Sequence, residues 1–178
     1  KLQFERYDYQ TEAVDSIVNI FKGQPIKISD FTVSTGGLLT QGIGNDLELF
    51  DDELLENIKQ IQMSNSLPRS SSLQGKNFTV EMETGTGKTF VYIKTIFELN
   101  KKYGFTKFII VVPSIAIKEG VYKSIQTMEE FFMNDYNNAS FNYKIYDSKS
   151  PEQIENFATT ANIEILIINI ASFVKDLG

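Results

Sequence analysis

The sequence predicts an α/β fold, a mainly parallel sheet flanked by helices. Three observations predict it. After residue 78, short β-rich runs alternate with longer stretches of helical periodicity. Phe108-Ile109-Ile110-Val111-Val112 is an unbroken aromatic and β-branched run, the pattern of a strand buried on both faces, hence parallel and covered by helices. A small turn holding Gly85 and Gly87 joins an extended run, Phe78–Met82, to a helical pattern that leaves from Lys88. With 178 residues, 42% of them hydrophobic, the chain can bury a real core.

Taken in order, the chain opens with an amphipathic helix from about Asp8. Tyr9, Ala13, Ile17 and Ile20 recur at helical spacing, joined by Val14, Val18 and Phe21. Gly23 and Pro25 end it. Ile26–Val33 reads as a strand, Thr35-Gly36-Gly37 as a turn and Leu47–Phe50 as another short strand. Asp51–Met63 reads as a helix, with Asp51, Asp52 and Glu53 in the first turn, where the helix dipole favours them, and Leu54, Leu55, Ile58 and Ile61 as its apolar stripe. The alternative for Leu47–Glu53, an apolar strand carrying an Asp-Glu pair for Mg²⁺, is disfavoured because Glu48 interrupts the strand and the segment precedes the glycine turn. Ser64–Gly75, rich in serine and holding Pro68, reads as a surface loop.

Beyond the glycine turn, helix Lys88–Tyr103 buries Tyr92, Ile93, Ile96, Phe97, Leu99 and Tyr103, and Gly104 caps it. Pro113-Ser114 closes the strand that follows. A second long helix, about Ala116 to Phe132, turns Ile117, Val121, Ile125, Met128 and Phe132 inward. Asn142–Tyr146 is a short strand. Ser150-Pro151-Glu152-Gln153 opens a helix with a capping Ser, Pro at the first helical position and Gln at the reciprocal capping position. Ile163–Ile170 is a last apolar strand.

The turn Glu83-Thr84-Gly85-Thr86-Gly87-Lys88-Thr89 has the chemistry of a phosphate cradle. Gly85 and Gly87 let backbone N–H groups face an anion without a Cβ in the way. The helix that follows adds its positive end. Lys88 is a point charge for the β- and γ-phosphates, and the Thr89 hydroxyl is a Mg²⁺ ligand by type. Met82 stands where the generic G-x-x-x-x-G-K-[ST] pattern begins with glycine. Glu81 and Glu83 are out of place in a central strand. Gln10 is either an ordinary polar residue on a solvated helix face or, as an amide with one acceptor and two donors, a match for the N6/N7 edge of adenine.

Composition narrows the chemistry. With no histidine and no cysteine, a His-based triad, a His general base, a thiolate metal site and a disulfide framework are excluded within this chain. No apolar run approaches a membrane span and no signal peptide is visible, so a cytoplasmic protein with no membrane partner is expected. A net charge of −6 gives no global pull toward nucleic acid.

Three stretches occur in an informative order: Arg6…Tyr9-Gln10, then Glu83–Thr89, then Val111-Val112-Pro113-Ser114-Ile115-Ala116-Ile117-Lys118. Together they resemble the Q motif, motif I and motif Ia of superfamily 2 helicases. More narrowly, Phe78–Lys94 followed by Lys107–Gly120 resembles the restriction (Res) subunit of type III restriction–modification enzymes. The resemblance implies a P-loop NTPase, RecA-like fold, here an incomplete first helicase domain over residues 1–178 with an insertion at 22–76. It implies ATP and Mg²⁺ as cofactors, with Gln10 reading adenine and Tyr9 or Tyr7 packing nearby. Thr84, Gly85, Thr86 and Gly87 would cradle the phosphates, Lys88 would bind the β/γ-phosphates and Thr89 the metal, the last two being the catalytic candidates. Ser114 and Lys118 would touch the backbone of double-stranded DNA, contacts that position a strand without reading its sequence. From the residues alone, Ser114 is a helix-start serine and Lys118 a solvated lysine. The partner implied is the modification (Mod) methyltransferase subunit, and the activity is ATP-driven movement on DNA with cleavage by the intact enzyme.

Motors of this kind also need a downstream Asp-Glu box and arginine fingers from a second domain. After Lys88 no apolar strand leads into Asp-Glu, and Ile163–Ile170 runs into Ala171-Ser172-Phe173. The expectation is therefore a truncated motor that by itself binds nucleotide weakly and is inactive. The alternatives are another superfamily 2 helicase or a type I restriction motor, a different P-loop enzyme such as a small-molecule kinase, and a binding module that inherited the loop without using it. The arginine-poor composition, Arg6 and Arg69 alone, counts against the kinase.

Overall fold

The computed structural model describes residues 7–35 and 38–171. Arg6, the turn expected at Gly36-Gly37, and Ser172-Phe173 lie outside them. The chain divides into two compact units, Lys1–Ile26 with Leu47–Tyr103, and Lys27–Asp46 with Gly104–Gly178.

The first unit is built from helices. α1 spans Asp8–Val18 and continues into a short 3-10 turn, Asn19–Phe21; α2 is Asp51–Ser64 and α3 is Lys88–Tyr103. The inward line of α1 is Gln10, Val14 and Val18, one residue off the stripe read from Tyr9. Tyr9 is exposed instead, and Gln10 is only 7% exposed, which rules out the solvated-face reading of that glutamine. α1 packs on α3, whose Ile93, Ile96, Phe97 and Tyr103 are buried, and the Tyr103 hydroxyl donates to Val18 O at 3.0 Å. Burial holds the Tyr103 phenol above its ordinary range. Gly104, at φ +76°, follows the last turn of α3 as expected of a helix-ending glycine.

Leu47–Phe50 is not a strand. Leu49 joins Ile20 and Leu54 in a small apolar cluster, and Gln24 Oε1 accepts from Glu48 N at 2.9 Å, so the segment is held by a side chain instead of a ladder. Phe50 N donates to Glu53 Oε2 at 2.9 Å, the helix-start role expected of this acidic turn. Phe78–Met82 is not a strand either. It is irregular, and Phe78 and Val80 are exposed. A strand exists only by pairing, and among the described residues every paired strand belongs to the second unit. Glu81 and Glu83, awkward inside a central strand, are accordingly in solvent.

The second unit holds β1 (Ile28–Thr35) and β2 (Leu38–Asn45), then β3 (Lys107–Val112), α4 (Ile115–Asp135), β4 (Phe141–Ile145), α5 (Glu152–Thr159) and β5 (Ile163–Asn169). β1 and β2 pair antiparallel, Ile28 opposite Asn45 and Thr35 opposite Leu38. The other three strands form a parallel sheet in the order β3-β5-β4, with Phe108 opposite Ile165 and Tyr143 also opposite Ile165. The strand buried along its whole length is therefore the central β5. β3 has one open face, with Ile109 and Val111 about half exposed, 52% and 51%. α4 buries Val121, Ile125, Met128 and Phe132 as expected, but Ile117, in its first turn, is exposed. At α5 the reciprocal cap does not form. Gln153 Oε1 accepts from Asp147 N at 3.0 Å, three residues before Ser150.

A polar knot sits at the amino ends of these strands. The buried Glu164 carboxylate accepts from Asn142 Nδ2 and Thr160 Oγ1, both at 2.7 Å. Lys107 Nζ donates to the Thr160 carbonyl, and burial lowers this ammonium below its ordinary range against the opposing pull of Glu164. Asn45 Oδ1 accepts from Thr106 N at 2.7 Å and Lys107 N at 3.0 Å, while its Nδ2 donates to Lys107 O at 2.8 Å.

Candidate phosphate-binding site

The turn before α3 is open and preset. Gly85 and Gly87 stand at φ +84° and +87°, a conformation that costs an L side chain about 1–2 kcal/mol. Around Gly85 there is open space within 4 Å of where a Cβ would sit. α3 begins at Lys88, runs 16 residues and carries no acidic group in its first turn, so no carboxylate of the helix itself offsets the positive end of its dipole. Lys88 is exposed, and its ammonium donates to two carbonyls of its own loop, Met82 O at 2.7 Å and Glu83 O at 2.8 Å. Thr86 Oγ1 closes the turn on Glu83 O at 2.6 Å. Thr89 is half-buried one residue into the helix, beside Tyr92. Burial pushes the Tyr92 phenol up, and Thr89 pulls it partly back.

α1 reaches the same turn. Gln10 Nε2 donates to Thr86 O at 3.0 Å, and the exposed Tyr9 hydroxyl donates to the same carbonyl at 3.2 Å. Gln10 thus spends one of its two N–H groups on the loop, leaving the other and Oε1 for a further partner. Tyr9 stacks on Tyr7, with ring centroids 5.6 Å apart and planes within 17°. The hydroxyl contact of Tyr9 was not legible in sequence. The Tyr-Gln pair at a helix start was the only trace of it.

A cavity of about 1070 Å³ opens beside the turn, walled by α1, α2 and residues 65–83, with Tyr9, Glu83 and Thr86 among its lining. Glu12, Glu81 and Glu83 line it, and no lysine or arginine does.

The structure brings Gln10, Thr84, Gly85, Thr86, Gly87, Lys88 and Thr89 together in the first unit; Ser114 and Lys118 belong to the second. Ser114 caps α4, its Oγ accepting from Ile117 N at 3.3 Å. Lys118 is half-buried in the first turn of that helix, and its amide donates to Ser114 O at 3.0 Å. No group of three acidic residues spaced to hold a metal occurs among the described residues, nor any helix long and apolar enough to cross a membrane.

The family model described as "Type III restriction enzyme, res subunit" matches residues 3–177. The Type III restriction-modification enzyme EcoP15I Res subunit of Escherichia coli is 32% identical over 181 residues, covering 90% of this chain and 18% of the relative. The EcoPI Res subunit of Escherichia phage P1 is 32% identical over 180 residues, with the same coverage. The StyLTI Res subunit of Salmonella typhimurium is 37% identical over 110 residues, 52% of this chain and 11% of the relative. The chain thus spans about a fifth of the length of the curated relatives it matches. On this match the chain belongs to the family of the res subunit of type III restriction enzymes, with the α/β, P-loop helicase class of fold that the family carries.

Proposed function

We propose that residues 1–178, with an insertion at 22–76, are part of the first RecA-like domain of an ATP-driven DNA motor, and that their own task is to bind MgATP. The observation that carries this reading is the turn at Gly85–Lys88. Two glycines at positive φ and an exposed lysine meet at a helix N-terminus with no acidic group in its first turn. Thr84, Gly85, Thr86 and Gly87 offer backbone donors to the triphosphate. Lys88, whose ammonium is held by the Met82 and Glu83 carbonyls, would turn it to the β- and γ-phosphates. Gln10 keeps one N–H and one oxygen for the adenine edge. Mg²⁺, when bound, neutralises phosphate charge, and the Thr89 hydroxyl would hold it. The residues fit both groups, since the loop's donors are open and the helix end carries no carboxylate.

Around this site we place the rest of the family's work: double-stranded DNA as the track, a Mod methyltransferase subunit as partner, and cleavage by the whole enzyme. Ser114 and Lys118 are the proposed contacts to DNA phosphates. No Asp-Glu box follows Lys88 in this sequence, so hydrolysis is not assigned to these residues, and the chain alone binds nucleotide without turning it over. Calorimetric titration with MgATP tests the reading. Saturable binding that disappears in Lys88→Ala supports it; no binding by the parent chain, or equal binding by the variant, overturns it.

A further inference from the structure

We propose that the Tyr9 hydroxyl is a positioning group for the phosphate loop, acting with Gln10 on the Thr86 carbonyl to fix which way the Thr86–Gly87 peptide faces. This inference rests on the phosphate-site reading above. In a trans peptide the C=O and the following N–H point in opposite directions. The Thr86 carbonyl is held by two donors from α1, Tyr9 Oη at 3.2 Å and Gln10 Nε2 at 3.0 Å. Its peptide partner, the Gly87 N–H, therefore points away from α1. A carbonyl turned into the cradle would repel a phosphate oxygen; the amide in its place attracts one.

The loop needs such a hold because it can flip. Gly87 tolerates either sign of φ, so nothing in its own sterics fixes this peptide. Lys88 does not supply the hold either, because its ammonium is bound to the Met82 and Glu83 carbonyls and must move to meet a ligand. Thr86 Oγ1 ties the turn to Glu83 O but leaves the Thr86 carbonyl untouched. The two α1 donors are thus the groups that restrain it. Gln10 is buried and packed against Gly87, where an added Cβ would lie 2.5 Å from Nε2. Tyr9 is exposed and preordered by its stack on Tyr7, so its hydroxyl can be deleted without opening the core.

A positioning role on the loop differs from base reading in what it discriminates. A group that reads adenine affects ATP alone; a group that orients a phosphate-facing amide affects every triphosphate equally. The test measures binding of MgATP, MgGTP and magnesium tripolyphosphate to the parent chain, Tyr9→Phe, and Tyr9→Phe with Gln10→Ala, with thermal melts as the check on folding. Tyr9→Phe should weaken all three ligands alike, by about fivefold for one lost hydrogen bond, and the double variant should weaken tripolyphosphate further. Unchanged tripolyphosphate affinity in a folded Tyr9→Phe, or a loss confined to ATP, overturns the proposal and leaves the phosphate site standing. If the parent chain itself binds no tripolyphosphate, the phosphate site and the positioning role fall together.

Discussion

Two turns in this molecule lead into long helices, and they treat their backbone amides in opposite ways. At Pro113-Ser114 the serine side chain caps α4, so one of the amides that a helix start leaves orphaned is already satisfied from within. At Thr84–Gly87 the residue before α3 is a glycine, with no side chain to cap with, and glycines occupy the positive-φ positions. Help comes from a distant helix, and it goes to a carbonyl and not to the amides. The first arrangement is complete as it stands. The second leaves donors unspent at a positive helix end, which is the condition for holding an anion.

The contrast is sharpest at Lys88. Lys88→Ala should reduce MgATP affinity at least about a hundredfold, since it removes a charge-assisted contact to two phosphates. Titration of parent and variant reads this directly. A smaller test is Gly87→Ala, which should destabilise the fold by about 1–2 kcal/mol through its φ of +87° and also displace the Gln10 amide. Gly85→Ala has the backbone cost without the collision, so its denaturation midpoint should fall less than that of Gly87→Ala. Equal midpoints would show that the approach of Gln10 to the loop contributes nothing.

Ser114→Ala should cost about 1 kcal/mol of stability in the second unit while leaving MgATP affinity unchanged, and Ser114→Gly should recover most of it. A variant that loses DNA affinity with no change in melting would instead make Ser114 a ligand first and a cap second. The smallest effect is at high pH. The Tyr143 phenol is pushed up from 10.0 to about 12, first by burial, then by the hydrogen bond and charge of Glu129, then by Tyr122. A raised folded value means that the contribution is full below about pH 10 and lost as pH rises toward 12. Tyr143→Phe should flatten the fall in stability across that window, and a curve identical to the parent's would remove Tyr143 from the account.

What sequence showed and what it missed divide along local and non-local physics. The helix from Lys88 to Tyr103, its glycine stop and the glycine turn before it were legible because each depends on neighbours in the chain. Phe78–Met82 was read as a strand because it is an extended run leading into the glycine turn, yet a strand needs a partner, which no local pattern provides. Phe108–Val112 was read as buried on both faces because it is apolar throughout; full burial went to β5, which has a neighbour on each side. In α1 the stripe was misplaced by one residue, since Tyr9 and Gln10 are both consistent with a helical repeat and only tertiary packing decides which turns inward. That single step decides against the solvated alternative for Gln10, which is buried and touches the loop.

Asn45 carries a topological consequence. The chain leaves the second unit at Asp46 and returns to it at Gly104, and the asparagine on the way out grips the backbone of Thr106 and Lys107 on the way back. Residues 47–103 are therefore an excursion whose two ends are stapled together by one side chain.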